Sequence, residues 1–472
     1  MVAGNIFNWP KHLPIHFDKR PHGPSQEGTP MLTQEDNDLL CRVGPGTPMG
    51  NLLRRYWTPA LLSGELPEAD CPPLRTRLLG EDLVAFRDSM GKVGLFAQAC
   101  PHRGASMFFG RNEEAGLRCV YHGWKFDTTG ACVDMPSEQA ESNFKNKVRI
   151  TAYPTYESGG VVWTYMGPAE TMPAFRDVGT ESVPEENIFA SRLWSPCNWV
   201  QGLEGNIDTA HISFLHQYHA TMDIPDDGTD APGYVSSNLA WKLWRLDGAP
   251  RIETEDTWYG YRYAGIRTTP NGHTYVRITD FIMPYMTYIA ATPVGGDIAI
   301  MMVPADDNSY WRYNFATRVS QRRLSRAANP SAFNQTPFLR GGMRQGVIPR
   351  THTPENDYQI DRESQRTTTY AGILDFVSQD MAVTESMGTI YERTNEHLGT
   401  TDKAIIRMRR LLIQAARDLQ NGIEPPATGP SEGYRSIRSA EKILAPGEDW
   451  RYLGTDTDPI VAEMAAEAAA GG

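Results

Sequence analysis

Between Cys100 and His122 the chain runs Cys100-Pro101-His102, then sixteen residues, then Cys119-Val120-Tyr121-His122. Few features constrain a fold as tightly, because four side chains from two loops must meet at one point. Two thiolates and two imidazoles are the ligand set of a [2Fe–2S] centre in which His replaces Cys on one iron; the imidazoles raise the cluster's potential. A Cys2His2 set can also hold zinc. Structural zinc sites usually pair Cys with Cys and His with His along the chain, whereas each loop here supplies one of each. Gly104, Gly110 and Gly123 offer tight turns beside the ligands, and Trp124 and Phe126 offer apolar cover.

Around this stretch the pattern is of short strands. Asp82–Arg87 and Val93–Phe96 flank a turn and predict a hairpin. Further strands are expected at Leu117–Val120, Lys125–Asp127 and Val161–Tyr165, giving a small β domain with the cluster held by two loops at its tip. Thr33 caps an expected helix with Glu35 and Asp36 in its first turn. A second short helix is expected within 48–60, running into a strand. After a linker over 168–198 a second strand-rich region opens at Asn198-Trp199. It holds expected strands at Asp256–Arg267, Tyr275–Met283 (after the turn Asn271-Gly272), Ile298–Val303 and Trp311–Phe315. A helix is expected from Thr401 and Asp402 to Gly422, with Ile405, Met408, Leu412, Ala415 and Leu419 on one face. Residues 1–30 are expected as an extended arm, and Ala462–Gly472 as a frayed end.

Composition excludes several classes. Lys plus Arg number 45 against 57 Asp plus Glu, a net charge of −12, so the chain has no bulk attraction to nucleic acid or anionic membrane. No apolar run is long enough to cross a bilayer, and the Pro-rich start has no signal-peptide core. Six Cys in 472 residues are no disulfide framework; Cys41, Cys71, Cys132 and Cys197 are expected as small buried residues. A cytoplasmic protein is expected.

A second constellation lies downstream, Asp208-X2-His211-X4-His216. On a helix Asp208 and His211 share a face, and a break is needed before His216. Two imidazoles plus one carboxylate make the facial triad of non-heme Fe(II) oxygenases. His219 is an alternative second imidazole on spacing grounds.

Taken together, Cys100-X-His102, Cys119-X2-His122 followed by Gly123-Trp124, and the Asp-X2-His-X4-His stretch resemble the two metal motifs of the Rieske non-heme iron oxygenases. Gln379-Asp380-Met381-Ala382-Val383 with Glu385-Ser386-Met387-Gly388, and Arg393–Gly399, resemble the phthalate 4,5-dioxygenase-like branch, which also includes aryl-ether O-demethylases. The resemblance covers roughly residues 40–420. It implies an α+β fold whose catalytic domain is a helix grip, an antiparallel sheet over a long helix; the chain is expected to divide into an arm (1–30), a Rieske β domain (31–167), the catalytic domain (168–430) and a tail (431–472). It implies a [2Fe–2S] Rieske cluster on Cys100, His102, Cys119 and His122, and a mononuclear Fe(II) on His211, His216 and Asp380. Asp380 is expected on a long C-terminal helix, with Asp375 and Glu385 as competing carboxylates.

By the same resemblance Asp208 is a catalytic bridge, bonded to His211 and to a cluster histidine of a neighbouring subunit. Glu204 departs from the Asn often found there. Electrons are expected from a separate NAD(P)H-dependent reductase of flavin or ferredoxin type, and the assembly is expected to be a homotrimer or homohexamer. The implied function is O2-dependent hydroxylation of an aromatic acid, a phthalate-like ring dihydroxylation. O-demethylation of a methoxylated aromatic acid is the alternative, and a cluster-only electron carrier is an alternative of another class. Thr209 and Arg277 are the expected substrate contacts, with Arg245, Arg262 and Arg267 also in the expected sheet region.

Overall fold

The computed structural model describes residues 32–139, 141–176, 188–219, 231–235, 237–290, 298–317, 346–426, 437–459 and positions 428, 434 and 461. The expected arm over 1–30 and the expected frayed end from Ala462 lie outside the described residues. Two short helices open the described chain. In α1 (Gln34–Cys41) the Thr33 hydroxyl accepts from the Asp36 N–H, as the sequence predicts. In α2 (Pro48–Leu53) proline occupies the first turn and the Thr47 hydroxyl accepts from the Gly50 N–H.

Short strands follow: β1 (Thr58–Leu62), β2 (Leu74–Leu78), β3 (Glu81–Arg87), β4 (Val93–Ala97), β5 (Arg111–Glu113), β6 (Gly116–Arg118), β7 (Lys125–Phe126), β8 (Cys132–Asp134), β9 (Ala152–Tyr153), β10 (Thr155–Ser158) and β11 (Val161–Thr164). They form three antiparallel sheets, β1-β11-β10, β2-β3-β4-β9 and β5-β6-β7-β8. The expected hairpin is β3–β4, and the two cluster loops flank the third sheet.

The remainder is built on one large sheet. Its strands are β12 (Ile188–Ser195), β13 (Gly233–Tyr234), β14 (Arg251–Thr257), β15 (Gly260–Thr268), β16 (Thr274–Ile282), β17 (Met286–Ile289), β18 (Ile298–Asp306), β19 (Ser309–Thr317), β20 (Gly346–Val347) and β21 (Glu441–Leu444). The order is β13-β21-β16-β17-β18-β19-β12-β20, with β15 and then β14 added on the other edge of β16. All pairs are antiparallel except β12 with β20. Among the described residues five α-helices accompany it: α3 (Trp199–Ile207), α4 (Ser237–Leu246), α5 (Arg362–Thr367), α6 (Phe376–Ser386) and α7 (Lys403–Gln420).

Side chains alternate across a strand, so each face of the sheet has its own partner. On one face the Tyr310 ring crowds Gly202 of α3, and the Tyr261 hydroxyl donates to the Ala404 C=O of α7. On the other, Phe315 stacks on Trp163, and Arg192 reaches Glu65 at 2.6 Å. The order is therefore helices, sheet, N-terminal β region, with one apolar core running through all three. Backbone joins the layers too: the Leu79 and Gly80 N–H groups donate to Pro304 and Ala305 at 3.1 and 2.7 Å.

Four expectations change. The run Asp256–Arg267 is a hairpin, not one strand; the chain turns at Trp258-Tyr259 and re-enters the sheet at Gly260. The 431–472 segment is more than a tail. Its β21 pairs with β16 from Thr274↔Leu444 to Arg277↔Glu441, and Trp450 and Leu453 are buried against the sheet. Asp402 precedes α7 as expected, yet its carboxylate accepts from the Gly399 N–H rather than from the helix. Gly110 does not need a turn conformation; it is a close approach, where a Cβ would stand 2.8 Å from Met107 O and 2.9 Å from Arg118 O.

Candidate functional site

The two cluster loops are built alike. In the first, the Cys100 N–H donates to Ala105 and the Gly104 N–H donates back to Cys100, at 2.8 and 2.9 Å. In the second, Cys119 donates to Trp124 and Gly123 to Cys119, at the same distances. Gly104 and Gly123 both have φ of +77°, which a residue with a Cβ adopts only under strain. At Gly123 a Cβ would also stand 2.6 Å from Pro136. The loops bring the His102 and His122 rings to a centroid separation of 4.3 Å, and Trp124 stacks on His102 at 4.4 Å, with its indole N–H on the Ser137 hydroxyl. Phe126 is buried beneath.

This pocket suits a metal cluster. His102 Nδ1 is buried with no hydrogen-bond partner. Burial, with the Cys119 thiol alongside, pushes the Cys100 thiol up to about 11, so a thiolate there calls for a metal's positive charge. All six cysteines are free thiols.

The second centre assembles where α3 ends. The sequence predicts a helical Asp208–His211 pair and a later break. The helix instead stops at Ile207, Asp208 is its extended C-cap, and His211–Ser213 form a single 3₁₀ turn. That turn folds the chain back so that His211 Nε2 and His216 Nε2 lie 3.2 Å apart. Asp380 comes from α6, an eleven-residue helix, rather than from the long α7. Two bonds clamp α6 on α3: Gln201 Nε2 donates to Thr384 O and Gly388 O, both at 2.9 Å. Asp380 Oδ1 then stands 2.9 Å from His216 Nε2 and 3.6 Å from His211 Nε2. Ligand atoms about 2.1 Å from a metal and at right angles are separated by about 3 Å, so the three fit one facial set. Among the described residues this is the one His/Cys/Asp/Glu trio within 4.8 Å.

Electrostatics agree with ligation. Burial pushes His216 down, which keeps the imidazole neutral, and its ring stacks on Phe376 at 3.7 Å. Burial opposes ionisation of Asp380, but His216, His211 and Arg312 outweigh it and hold the carboxyl below its usual range. His216 Nδ1 meets Gln379 Oε1 at 2.7 Å, and the Gln379 amide is fixed by donating to Ile373 O. Asp208 Oδ2 faces His211 Nδ1 at 3.6 Å while its Oδ1 accepts from the Ala210 N–H at 2.7 Å.

The competing carboxylates and imidazole are elsewhere. Asp375 caps α6 through the Ser378 N–H and hydroxyl. Glu385 accepts from Ser195, Arg350 and Tyr358. His219 contacts Gln365 O at 3.3 Å. Glu204 has a role spacing could not reveal: Arg393 grips both its oxygens at 2.9 Å and Arg409 donates to Oε1 at 2.7 Å, all buried beneath α3.

The expected substrate contacts lie on the helix-facing side of β15 and β16. Arg277 is buried, with Nε on Glu441 Oε1 at 3.0 Å and its guanidinium over Trp244. Thr209 is buried under Gly265, and its hydroxyl has no partner. Arg267 donates to Asp247 O and Thr209 O, leaving Nη1 without an acceptor. Arg245 belongs to α4 rather than to the sheet, and Arg262 points to the opposite face, donating to Leu453 O.

Comparison with known proteins places this architecture. Residues 56–156 match the Rieske [2Fe-2S] domain, and 164–470 match the LigXa C-terminal domain like family. The phthalate 4,5-dioxygenase oxygenase subunit of Pseudomonas putida is 40% identical, over 89% of this chain and 94% of that one. The 3-chlorobenzoate-3,4-dioxygenase oxygenase subunit of Comamonas testosteroni is 38% identical, over 89% and 97%. The 5,5'-dehydrodivanillate O-demethylase oxygenase subunit of a Sphingobium strain is 35% identical, over 84% and 83%. The crystal structure of dicamba monooxygenase bound to dicamba shares the fold, with a TM-score of 0.52 at 17% identity over 79% of this chain and 99% of that one. The cluster-only electron carrier draws no support from these relatives. An oxygenase subunit of this kind takes its electrons from a separate electron-transfer partner, and no described helix is long and apolar enough to cross a membrane. With a cluster domain ahead of a catalytic domain, and a [2Fe–2S] centre and a mononuclear iron as its cofactors, the chain belongs to the Rieske non-heme iron oxygenases, as an oxygenase α subunit of the phthalate 4,5-dioxygenase-like branch.

Proposed function

We propose that this oxygenase hydroxylates an aromatic acid, by a phthalate-like ring dihydroxylation, with iron held by His211, His216 and Asp380 and the cluster by Cys100, His102, Cys119 and His122. The observation that carries the substrate class is the pair of buried cations on the helix-facing side of the sheet, Arg267 and Arg277, with one buried carboxylate, Glu441, against them. A buried guanidinium nitrogen without an acceptor, Arg267 Nη1, suits a carboxylate. Arg267 Nη1 and the Thr209 hydroxyl, both lacking partners, would orient it. Two relatives named for aromatic acids support the same class.

When bound, iron supplies O2 activation with electrons delivered by the cluster. The chain's own groups position and shield: Phe376 and Gln379 fix the His216 ring, and Asp208, partly exposed, holds the His211 ring and would meet a cluster histidine of a neighbouring subunit. That bridge calls for a homotrimer or homohexamer, because each subunit then completes its neighbour's electron path. An NAD(P)H-dependent reductase is the electron donor, the compartment is the cytoplasm, and the arm, cluster domain and iron domain divide at residues 30 and 167.

The test is O2 uptake by the purified protein with a generic reductase and NADH, across benzene dicarboxylates, chlorinated benzoates and methoxylated aromatic acids. A diol carrying both oxygen atoms supports the proposal. Stoichiometric formaldehyde from a methoxylated acid establishes O-demethylation instead, the reaction for which one relative is named. No coupled uptake with any acid, despite full iron, refutes the aromatic-acid assignment.

A further inference from the structure

Each of the three candidate iron ligands has a different partner on its far side. His211 has the Asp208 carboxylate, and His216 has the neutral amide of Gln379. Asp380 has a cation: Arg312 Nη1 lies 3.3 Å from Oδ2. The two oxygens of Asp380 thus face different ways, Oδ1 toward the imidazole nitrogens and Oδ2 toward the guanidinium. Arg312 is buried on β19 and is itself aimed. Its Nε donates to Asn314 Oδ1 at 3.1 Å, and Asn314 Nδ2 donates to Ser191 Oγ at 3.4 Å on the neighbouring strand β12. The relay Ser191–Asn314–Arg312 belongs to the rigid sheet, whereas Asp380 rides on α6.

A carboxylate binds a metal through one oxygen or through both. Binding through both requires Oδ2 to leave any other partner. A charge-assisted hydrogen bond from a guanidinium anchored in a sheet opposes that. We propose that Arg312 is a positioning residue that keeps Asp380 a one-oxygen ligand through Oδ1, and so preserves an additional open position on the iron. The inference rests on the reading of His211, His216 and Asp380 as the iron ligands. Two nitrogens and one oxygen leave more room for O2 beside substrate than a chelating carboxylate would.

The test uses the full chain with its cluster, loaded anaerobically with Fe(II), and nitric oxide as a probe of open positions. Iron content, the Fe(II)–nitrosyl electron paramagnetic resonance signal and nitric oxide affinity are measured for wild type, Arg312→Met, Arg312→Lys and Asn314→Leu. The visible circular dichroism of the cluster serves as the control for folding. Arg312→Met is expected to retain iron, bind nitric oxide about tenfold more weakly and change the rhombicity of the signal, with Arg312→Lys recovering part of both. Affinity and line shape unchanged in Arg312→Met overturn the inference, as does loss of iron from a folded Arg312→Met. If Arg312→Met does not fold, Asn314→Leu decides, since it keeps the cation but removes its aim: unchanged nitric oxide binding overturns the inference, and weaker binding supports it. A wild type that takes up no iron beyond the cluster refutes the ligand assignment instead, before any variant is compared.

Discussion

Replacing Glu204 by Gln removes one negative charge from a buried set of two guanidiniums. Arg393 has no exposed surface and spends Nε and Nη2 on Glu204; its Nη1 is already engaged with Asn37 Oδ1. Arg409 keeps Glu396 as a second carboxylate, so Arg393 is the cation stranded by the change. Removing one partner of a buried ion pair costs about 3–5 kcal/mol, because the remaining charge stays buried and uncompensated. A chain this long has an unfolding entropy of about 1 kcal/mol/K, so the expected fall in Tm is about 3–5 °C if the chain unfolds as one unit. The sign of the pH dependence follows from the carboxyl. Burial would raise it, but Arg393 and Arg409 outweigh burial and hold it below the usual Glu range. Its stabilisation is therefore fully present above the unfolded Glu value of about 4.3 and is lost as pH falls through the lower folded value. Differential scanning calorimetry of wild type and Glu204→Gln at neutral pH and at progressively lower pH reads both effects. The gap in Tm should close on acidification. A fall below about 1 °C at neutral pH, or a gap independent of pH, would refute the reasoning.

Asp380→Asn should abolish substrate-dependent O2 uptake and lower mononuclear iron content while the cluster's visible spectrum stays intact; metal analysis and optical spectra of one sample read both. Asp208→Asn should leave both metals bound but slow reoxidation of the reduced cluster by O2 and substrate by about 10- to 100-fold in single-turnover stopped flow. Trp124→Ala removes the ring stacked on His102 and should cost about 3–5 kcal/mol, read as early loss of cluster absorbance on heating. Gly123→Ala forces a Cβ onto Pro136 at a φ of +77° and should reduce cluster content on purification, whereas Gly91→Ala, equally strained at a φ of +80° but with nothing near its Cβ and away from the cluster loops, should leave cluster content unchanged.

What the sequence made legible is what lies close along it. The four residues proposed to hold the cluster fall within one stretch, and His211 and His216 are separated by a single turn, so their spacing carries the chemistry. Asp380 reaches the same point from a separate helix, and only a resemblance to known motifs picked it out. Glu204 was noticed as a departure, but its partners Arg393 and Arg409 are 189 and 205 positions away, beyond any periodicity. Asp208 and His211 face each other as the spacing predicts, but not across a helical face: α3 ends at Ile207, Asp208 is its extended cap, and the 3₁₀ turn after it brings the imidazoles together. Arg245 and Arg262 show the same limit. Composition places an arginine in a region, but strand parity and the Trp258-Tyr259 turn decide which face it serves.

The pairing of β21 with β16 ties assembly of the molecule to the face proposed to bind the acid. Arg277 and Tyr275 on β16 both find their acceptor in Glu441, a residue 164 and 166 positions further on. Until that late strand docks, the guanidinium proposed to receive substrate lacks the buried carboxylate that sets its direction. Contacts at such separation form slowly, since loop closure must precede any reward from them. Recognition of an acid is thus expected to mature only once β21 has been made and has paired with β16.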